Sequence, residues 1–337
     1  MAGDRGADMT NEEILAAIPK LSALVVGDVC LDRWCRYEPS YSEPSRETGI
    51  PRVAVVEYER TPGAAGTVAS NLAALGAGRV EVLGAVGADG HGYELELALA
   101  KRGIGSSLVR DESGLTFTYT KLINRTTGVE DLPRVDYMSA RDLPAEVEAQ
   151  VVRRFESLAP QFDVVLVSDQ MELASGGVVT ARLRQAIAEF AAAHPEKPVL
   201  VDSRARGELF RKALVKLNED EAAQACARIG VPVDYEALRR HIGNAALMVT
   251  RGSEGVSIIT EQGAVQVPTR PVANPVDICG AGDSFHAGAA LVLRLTGDAV
   301  AAARFGNLVA SITIMQPGTG AATRDQVQAL CRQEVHS

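Results

Sequence analysis

Aromatic side chains are scarce here: phenylalanine, tyrosine and tryptophan together make up 4% of 337 residues, with a single tryptophan. A core with so few rings must be filled by aliphatic residues. The 46% hydrophobic content and 31 glycines suit helices packed closely on a mostly parallel sheet. No run of about 18 apolar residues occurs, so no membrane-spanning helix is expected. The first twenty residues carry four acids, Asp4, Asp8, Glu12 and Glu13, which excludes an ordinary signal peptide. The five cysteines (Cys30, Cys35, Cys226, Cys279, Cys331) are odd in number and lack a paired C-x-x-C pattern. They support neither a disulfide framework nor a zinc site, and reduced thiols in the cytoplasm are the simplest account. Positive charge is in deficit, with 34 Lys and Arg against 43 Asp and Glu and a net charge of −9. Nucleic acid and anionic membranes are therefore disfavoured as main partners, and an anionic substrate would need a local basic cluster. No G-x-G-x-x-G follows the first strand-like segment, which argues against a hydride-transferring dinucleotide enzyme. Internal repeats and low-complexity segments are absent as well.

What is present is an α/β pattern. Thr10-Asn11-Glu12-Glu13 has capping-box spacing and opens a short helix ending near Pro19. Ala23 to Gly27 reads as a buried strand, with Asp28 and Asp32 where the chain leaves its carboxyl end, the edge at which open α/β sheets gather ligands. On spacing alone these two acids fit a solvated loop as well as a ligand site. Pro51 to Tyr58 and Leu115 to Asn124 read as short strands of a small separate sheet, a flap over the substrate mouth or a partner subunit. Pro62 to Gly76 reads as a Gly-rich loop and a smooth helix, followed by a strand over Val80 to Val86. Four further strands are expected near residues 164–167, 198–201, 213–217 and 246–249, in alternation with helices. Their polar ends, Ser168-Asp169, Asp202-Ser203-Arg204, Asn218 and Thr250-Arg251-Gly252, would line one rim. Each alone is an ordinary cap or turn, and their recurrence at one edge is the informative feature.

The stretch from Asn274 to Gly288 organises the rest. Gly280-Ala281-Gly282 lets the backbone turn sharply into an apolar helix beginning near Asp283, so that free N–H groups form an anion cradle. By itself the loop fits an Asp-capped helix equally well. D-I-C-G-A-G-D, however, resembles the C-terminal signature of the ribokinase-like (PfkB) sugar kinases. Gly63 to Gly76 followed by Gly87-Ala88-Asp89-Gly90 is similar to the N-terminal signature of the same family. The resemblance covers most of residues 21 to 326. G-D-V-C-L-D-R-W from Gly27 and the Pro62 to Asn71 segment are similar, in particular, to the branch that phosphorylates heptose 7-phosphate. There Ala64 stands for a second Gly and Thr67 for an Asn, at positions of sugar contact.

The resemblance implies a ribokinase-like three-layer α/β/α fold with a central, mostly parallel sheet. The whole chain, 1–337, would be one such domain, with a small β-sheet lid from about 36–60 and 113–137. It implies Asp283 as general base, with Gly280, Ala281 and Gly282 as the anion hole. Sugar contacts would come from Asp28, Asp32, Gly63, Ala64, Thr67 and Asn71. The nucleotide would lie against Asn218, Glu221, Thr250, Arg251, Gly252, Gly255 and Asn307, with Glu221 placing Mg2+ and Arg204 a further phosphate contact. From the residues alone, Asn218 to Glu221 also reads as an acidic first turn and Thr250 to Gly255 as a hairpin turn. ATP and Mg2+ are the implied cofactors, a sugar or sugar phosphate the substrate and a lid-mediated homodimer the assembly. Dependence on a monovalent cation is left open. The alternatives are a kinase for a pentose, hexose or nucleoside, or a sugar or nucleotide sensor without catalysis. With no H-x-G-H sequence and little chain beyond the kinase region, no fused nucleotidyltransferase is expected.

Overall fold

The computed structural model describes residues 9–139, 141–171 and 176–334. In chain order its strands are β1 (Ser22–Gly27), β2 (Val29–Tyr37), β3 (Val55–Ala64), β4 (Arg79–Leu83), β5 (Ala85–Gly87), β6 (Gly105–Ser106), β7 (Val109–Asp111) and β8 (Thr118–Asn124). They continue with β9 (Val135–Tyr137), β10 (Val164–Asp169), β11 (Val199–Ser203), β12 (Leu214–Asn218), β13 (Ala246–Thr250), β14 (Val256–Thr260) and β15 (Gly263–Val267). The α-helices are α1 (Asn11–Ala17), α2 (Ala65–Ala74), α3 (Gly90–Ala100), α4 (Ala145–Leu158), α5 (Ala181–Ala193), α6 (Glu219–Arg228), α7 (Tyr235–Ile242), α8 (Ala281–Thr296), α9 (Ala299–Thr313) and α10 (Arg324–Glu334).

Among the described residues, nine strands form one sheet in the order β15-β14-β13-β12-β11-β10-β1-β4-β6. Its pairings are parallel except at the β13-β14-β15 end. A strand buried on both faces must be apolar throughout, and β1 shows why S-A-L-V-V-G reads as an unbroken run. Leu24 and Val26 pack with Phe155, Ile187 and Phe190 of α4 and α5, whereas Ala23 and Val25 pack with Leu72, Leu291 and Phe305 of α2, α8 and α9. Each fully buried Val or Leu contributes about 1.5–3 kcal/mol, so these two cores hold the helical layers on the sheet. The leading helix is closed by the expected box: Thr10 Oγ1 accepts the Glu13 N–H at 3.2 Å and Glu13 Oε2 accepts the Thr10 N–H at 2.8 Å.

A second, smaller sheet has the order β3-β2-β8-β9 and stands where the lid is expected. It departs from the expected boundaries of about 36–60 and 113–137. The chain does not leave β1 as a loop: after Asp28 it enters β2 directly, and residues 29–37 pair with β3 on one side and β8 on the other. The charges in V-C-L-D-R-W-C-R-Y disguise this strand: Val29 and Leu31 join the apolar core, but Asp32 and Trp34 in its middle face a polar cavity and Arg33 faces the acidic side chain of Glu94 on α3. Pro62-Gly63-Ala64 is likewise the end of β3 and not a loop. The strand expected over Val80 to Val86 divides at Gly84, and its second part, β5, pairs with β7 in a separate two-stranded sheet.

At the junction of β3 and α2, Ala64 holds φ 54° and ψ −119°, a conformation that favours glycine. The departure read in the sequence at this position is thus a strained backbone site. Ala64→Gly should raise stability by about 1 kcal/mol, the relieved strain exceeding the greater freedom of the unfolded chain. Thermal unfolding should show a midpoint higher by about 2 °C; an equal or lower midpoint would remove the strain.

Candidate active site

Asp283 stands in the first turn of α8, partly exposed to a cavity of about 550 Å³. Gly280 supplies the αL residue that starts this helix, at φ 77°. Ala281 turns its N–H back to the Ile278 carbonyl at 3.2 Å, so it is not a free member of the expected anion hole. The helix end still concentrates amide dipoles at Gly280 and Gly282 beside the cavity. Asp277 braces the approach: its Oδ1 accepts the Cys279 N–H at 2.9 Å and its Oδ2 the Gly318 N–H at 3.1 Å. A Cβ at Gly318 would stand 3.3 Å from the Trp34 ring, so the Pro317 to Ala321 loop runs between the Gly280 turn and the smaller sheet.

Beneath the turn lies a buried charged group that the sequence reading passed over. Lys216, in the middle of apolar β12, places Nζ 2.8 Å from Asp202 Oδ2 and 3.2 Å from where a Cβ on Gly282 would stand. Burial works against the Lys216 charge, but Asp202 outweighs it and raises its pKa. Burial works against the Asp202 charge too, and Lys216 and His286 reverse this, holding its carboxyl well below the usual range. His286 of α8 directs Nε2 to the Leu200 carbonyl at 3.1 Å and keeps Nδ1 3.9 Å from Asp202 Oδ2. Burial, followed by the Asp202 carboxylate, pushes Asp283 up to about 7 against the pull of Lys216 and Arg204. A lysine inside L-V-K-L-N was the available signal, since a buried charge needs a partner. The neighbouring rim acid, Asp169, is fully buried and held by Arg206 and by Ser203 Oγ at 2.6 Å, so it serves the scaffold and does not line the cavity.

Of the residues expected to contact a sugar, the structure gathers Asp28, Asp32, Ala64 and Thr67 on the cavity wall with Gly280 and Asp283. Asp28 also fastens the loop after β10, its Oδ2 accepting the N–H groups of Gln170 and Met171 at 2.9 and 3.1 Å and its Oδ1 that of Val178 at 2.7 Å. Burial and Asp169 push Asp28 up to about 6 against these donors, and burial pushes Asp32 up to about 6 against Lys121 and Arg134. Gly63 contributes by having no side chain: a Cβ there would sit 2.6 Å from Asp32 Oδ2 and 2.5 Å from Cys30 Sγ. Thr67 Oγ1 donates to the Pro62 carbonyl at 3.4 Å. Asn71 does not reach the cavity; it is fully buried in α2 with its amide on the Thr67 carbonyl at 3.0 Å. The lid adds residues not singled out from sequence: Trp34, Phe117, Tyr119, Lys121, Arg134 and Asp136. Phe117, Tyr119 and Lys121 share one face by strand alternation, a signal that was legible. Lys121 Nζ lies 4.3 Å from the Trp34 ring centroid, and Asp136 holds Arg134 through two contacts of 2.7 Å. Arg204 lines the cavity from the end of β11.

The expected nucleotide residues lie outside this cavity, Asn218 to Gly255 farther along the same rim at and after the ends of β12 and β13, and Asn307 in α9. Asn218 and Glu221 form a reciprocal cap on α6, with Asn218 Oδ1 accepting the Glu221 N–H at 2.8 Å and Glu221 Oε2 the Asn218 N–H at 2.7 Å. Burial raises the Glu221 pKa. Thr250 to Gly255 joins antiparallel β13 and β14. Gly255, at φ 94° with the Val267 carbonyl 2.1 Å from a would-be Cβ, admits no larger residue. Arg251 is paired with Glu219 at 2.9 Å and Glu254 at 3.0 Å. Asn307 is buried, with its amide directed to the Val267 and Pro268 carbonyls at 3.2 and 3.3 Å, so it stitches α9 to the end of β15.

The sequence model of the "pfkB family carbohydrate kinase" family matches residues 20–326. The chain is 33% identical over 326 residues to "Bifunctional protein HldE" of Rhodopseudomonas palustris and 32% identical over 321 residues to that of Pelobacter propionicus. These alignments take in 94% and 91% of this chain but only 64% and 62% of the relatives' own length. Among solved structures, ribokinase of Thermotoga maritima superposes with a TM-score of 0.67 at 20% identity, over 93% of this chain and 99% of that one. Phosphofructokinase-2 of Escherichia coli in complex with fructose-6-phosphate gives a TM-score of 0.67 at 18% identity, with the same coverage. The likeness to solved structures carries the ribokinase-like fold, a large, mostly parallel sheet with a smaller one set apart, and the match along the sequence carries the chemistry: this chain belongs to the pfkB family and is a carbohydrate kinase.

Proposed function

We propose that the chain transfers the terminal phosphoryl group of ATP to a hydroxyl of a phosphorylated sugar, heptose 7-phosphate being the leading candidate, with Asp283 as the base. The single observation that carries this reading is the make-up of the cavity. One carboxylate tuned to about 7 faces it from the body, while Lys121 and Arg134 face it from the lid and Arg204 from the rim. In a chain of net charge −9, Lys121, Arg204 and Arg134, the last already paired with Asp136, are the cations this cavity offers an anionic sugar among the carboxylates Asp28, Asp32, Asp136 and Asp283 that line it too. Asp28 and Asp32 supply acceptors for its hydroxyls. The resemblance of Gly27 to Trp34 to the heptose 7-phosphate branch supports the same choice.

The residues perform the reaction by position and charge. Asp283 takes the proton as the sugar oxygen forms its bond to phosphorus and the bond to the ADP oxygen breaks. A base whose pKa lies near 7 is strong enough to accept that proton and keeps about half of its population ionised at neutral pH. Amides at the start of α8 offset charge on the transferring group, and Lys216 supports them from below. Magnesium supplies further neutralisation of phosphate charge when bound. Glu221 suits it, since the cap uses Oε2 and leaves Oε1 for the ion. Among the described residues no group of three or more His, Cys, Asp or Glu could hold a metal ion. The lid edge β3 leaves Val55, Val56 and Tyr58 exposed, with Val53 just before it, which supports pairing of two chains through their lids.

Asp283→Asn should leave the fold and ATP affinity intact and lower kcat by about 10³-fold or more. Its residual rate should lack the loss of kcat/KM that the wild type shows as pH falls below about 7, where Asp283 gains its proton. Near-normal turnover of the purified variant would end the assignment of the base. Lys121→Met should raise KM for heptose 7-phosphate by about 10–100-fold while that for ATP stays within about twofold. Strong activity of the wild type on free pentose, hexose or nucleoside, with none on sugar phosphates, would contradict the phosphorylated substrate.

A further inference from the structure

We propose that Glu94 of α3 is a positioning residue for the sugar half of the site, acting by neutralising two arginines that the lid register sets against each other. The proposal rests on the kinase reading for its catalytic consequence. Arg33 of β2 and Arg60 of β3 are direct partners in the antiparallel register. Like charges in that relation work against strand pairing. Both guanidinium groups also lie over the same ring, 5.1 and 5.7 Å from the Tyr58 centroid. Glu94 meets this cluster from the body of the protein. Its Oε1 accepts from Arg60 Nη1 at 2.8 Å and from the Tyr58 hydroxyl at 3.1 Å. Its Oε2 lies 3.9 Å from Arg33 Nε, and neither of those two buried atoms has a hydrogen-bond partner. The carboxylate therefore acts on Arg33 through charge, in a site where Glu94 and Arg33 side chains are only 19% and 22% exposed and solvent screening is reduced.

The consequence for the cavity follows from strand alternation. Asp32 and Trp34, the neighbours of Arg33 on either side in sequence, point the opposite way and line the substrate cavity. Whatever fixes Arg33 against α3 fixes the tilt of β2, and with it the Asp32 carboxylate and the Trp34 ring under Lys121. His91, one turn before Glu94, adds a second hold on the same strands: its Nε2 lies 3.2 Å from Arg33 Nη1, which can only donate, and its ring meets Tyr137 of β9 edge-on at 4.6 Å. Helix α3 thus grips β2, β3 and β9 from the side away from the substrate.

Glu94→Gln keeps the shape and an acceptor for Arg60 and removes only the charge, so it isolates the proposed effect. In the full-length protein it should raise KM for heptose 7-phosphate by about tenfold and leave that for ATP within about twofold, the scale expected when a remote change misplaces a binding group. Deuterium uptake by residues 29–37 and 55–64 should accelerate, with uptake in the main sheet unchanged. The double variant E94Q/R60Q, which removes one cation with the anion, should return both readouts most of the way to wild type. Unaltered KM and lid exchange in E94Q, or a double variant no better than E94Q, would overturn the proposal. Absence of sugar phosphorylation by the wild type would refute the kinase reading instead, while lid exchange would still decide whether Glu94 holds the lid.

Discussion

The contact between Lys216 and Asp202, 2.8 Å long and closed off from solvent, is what the active centre rests on. It joins β12 to β11 directly under the turn that opens α8. A buried lysine costs several kcal/mol unless paired, and Asp202 offsets that cost only while both strands keep their register. The pair also sets the field felt by Asp283. Asp202 raises its proton affinity and Lys216 lowers it, so the carboxyl is balanced near neutrality by burial. An Asp exposed to water at the same helix end would be stabilised as the anion and would be a poor base.

In the proposed mechanism two tasks separate around Asp283. The main sheet, held between apolar helical layers, supplies the rim that carries the proposed phosphoryl-transfer residues. The smaller sheet supplies the proposed sugar-side groups from strands whose faces alternate between cavity and body. Strand β2 serves both: Asp32 and Trp34 face inward, and Arg33 faces α3. Because a strand's two faces cannot turn independently, the polar anchoring on one side and the recognition groups on the other behave as one unit.

The buried strands of the main sheet were plain in the sequence, since each is a short apolar run between caps, and β10 to β13 fall where expected. The Gly280 turn and Asp283 were legible from the motif. What is harder to read has separate physical reasons. In β2, Asp32 facing the cavity and Arg33 and Arg36 outside it interrupt the apolar pattern, so the acids after β1 fit a loop as well as a ligand site, and Lys121 shares the face set by Phe117 and Tyr119 but belongs to no motif. Asn71 fits the motif but is turned into α2, because a helix places residues 67 and 71 one turn apart and only Thr67 reaches the wall. Lys216 needed knowledge of its partner, which stands on another strand 14 residues away.

The most direct test of this electrostatic balance is a titration of the Asp283 carboxyl by carbon-13 NMR, in the wild type and in Lys216→Met. The account predicts a midpoint at about 7 in the wild type, well above the ordinary 3.8, and a higher midpoint once the lysine charge is gone. A midpoint near the ordinary value, or one that the substitution leaves in place, would contradict it.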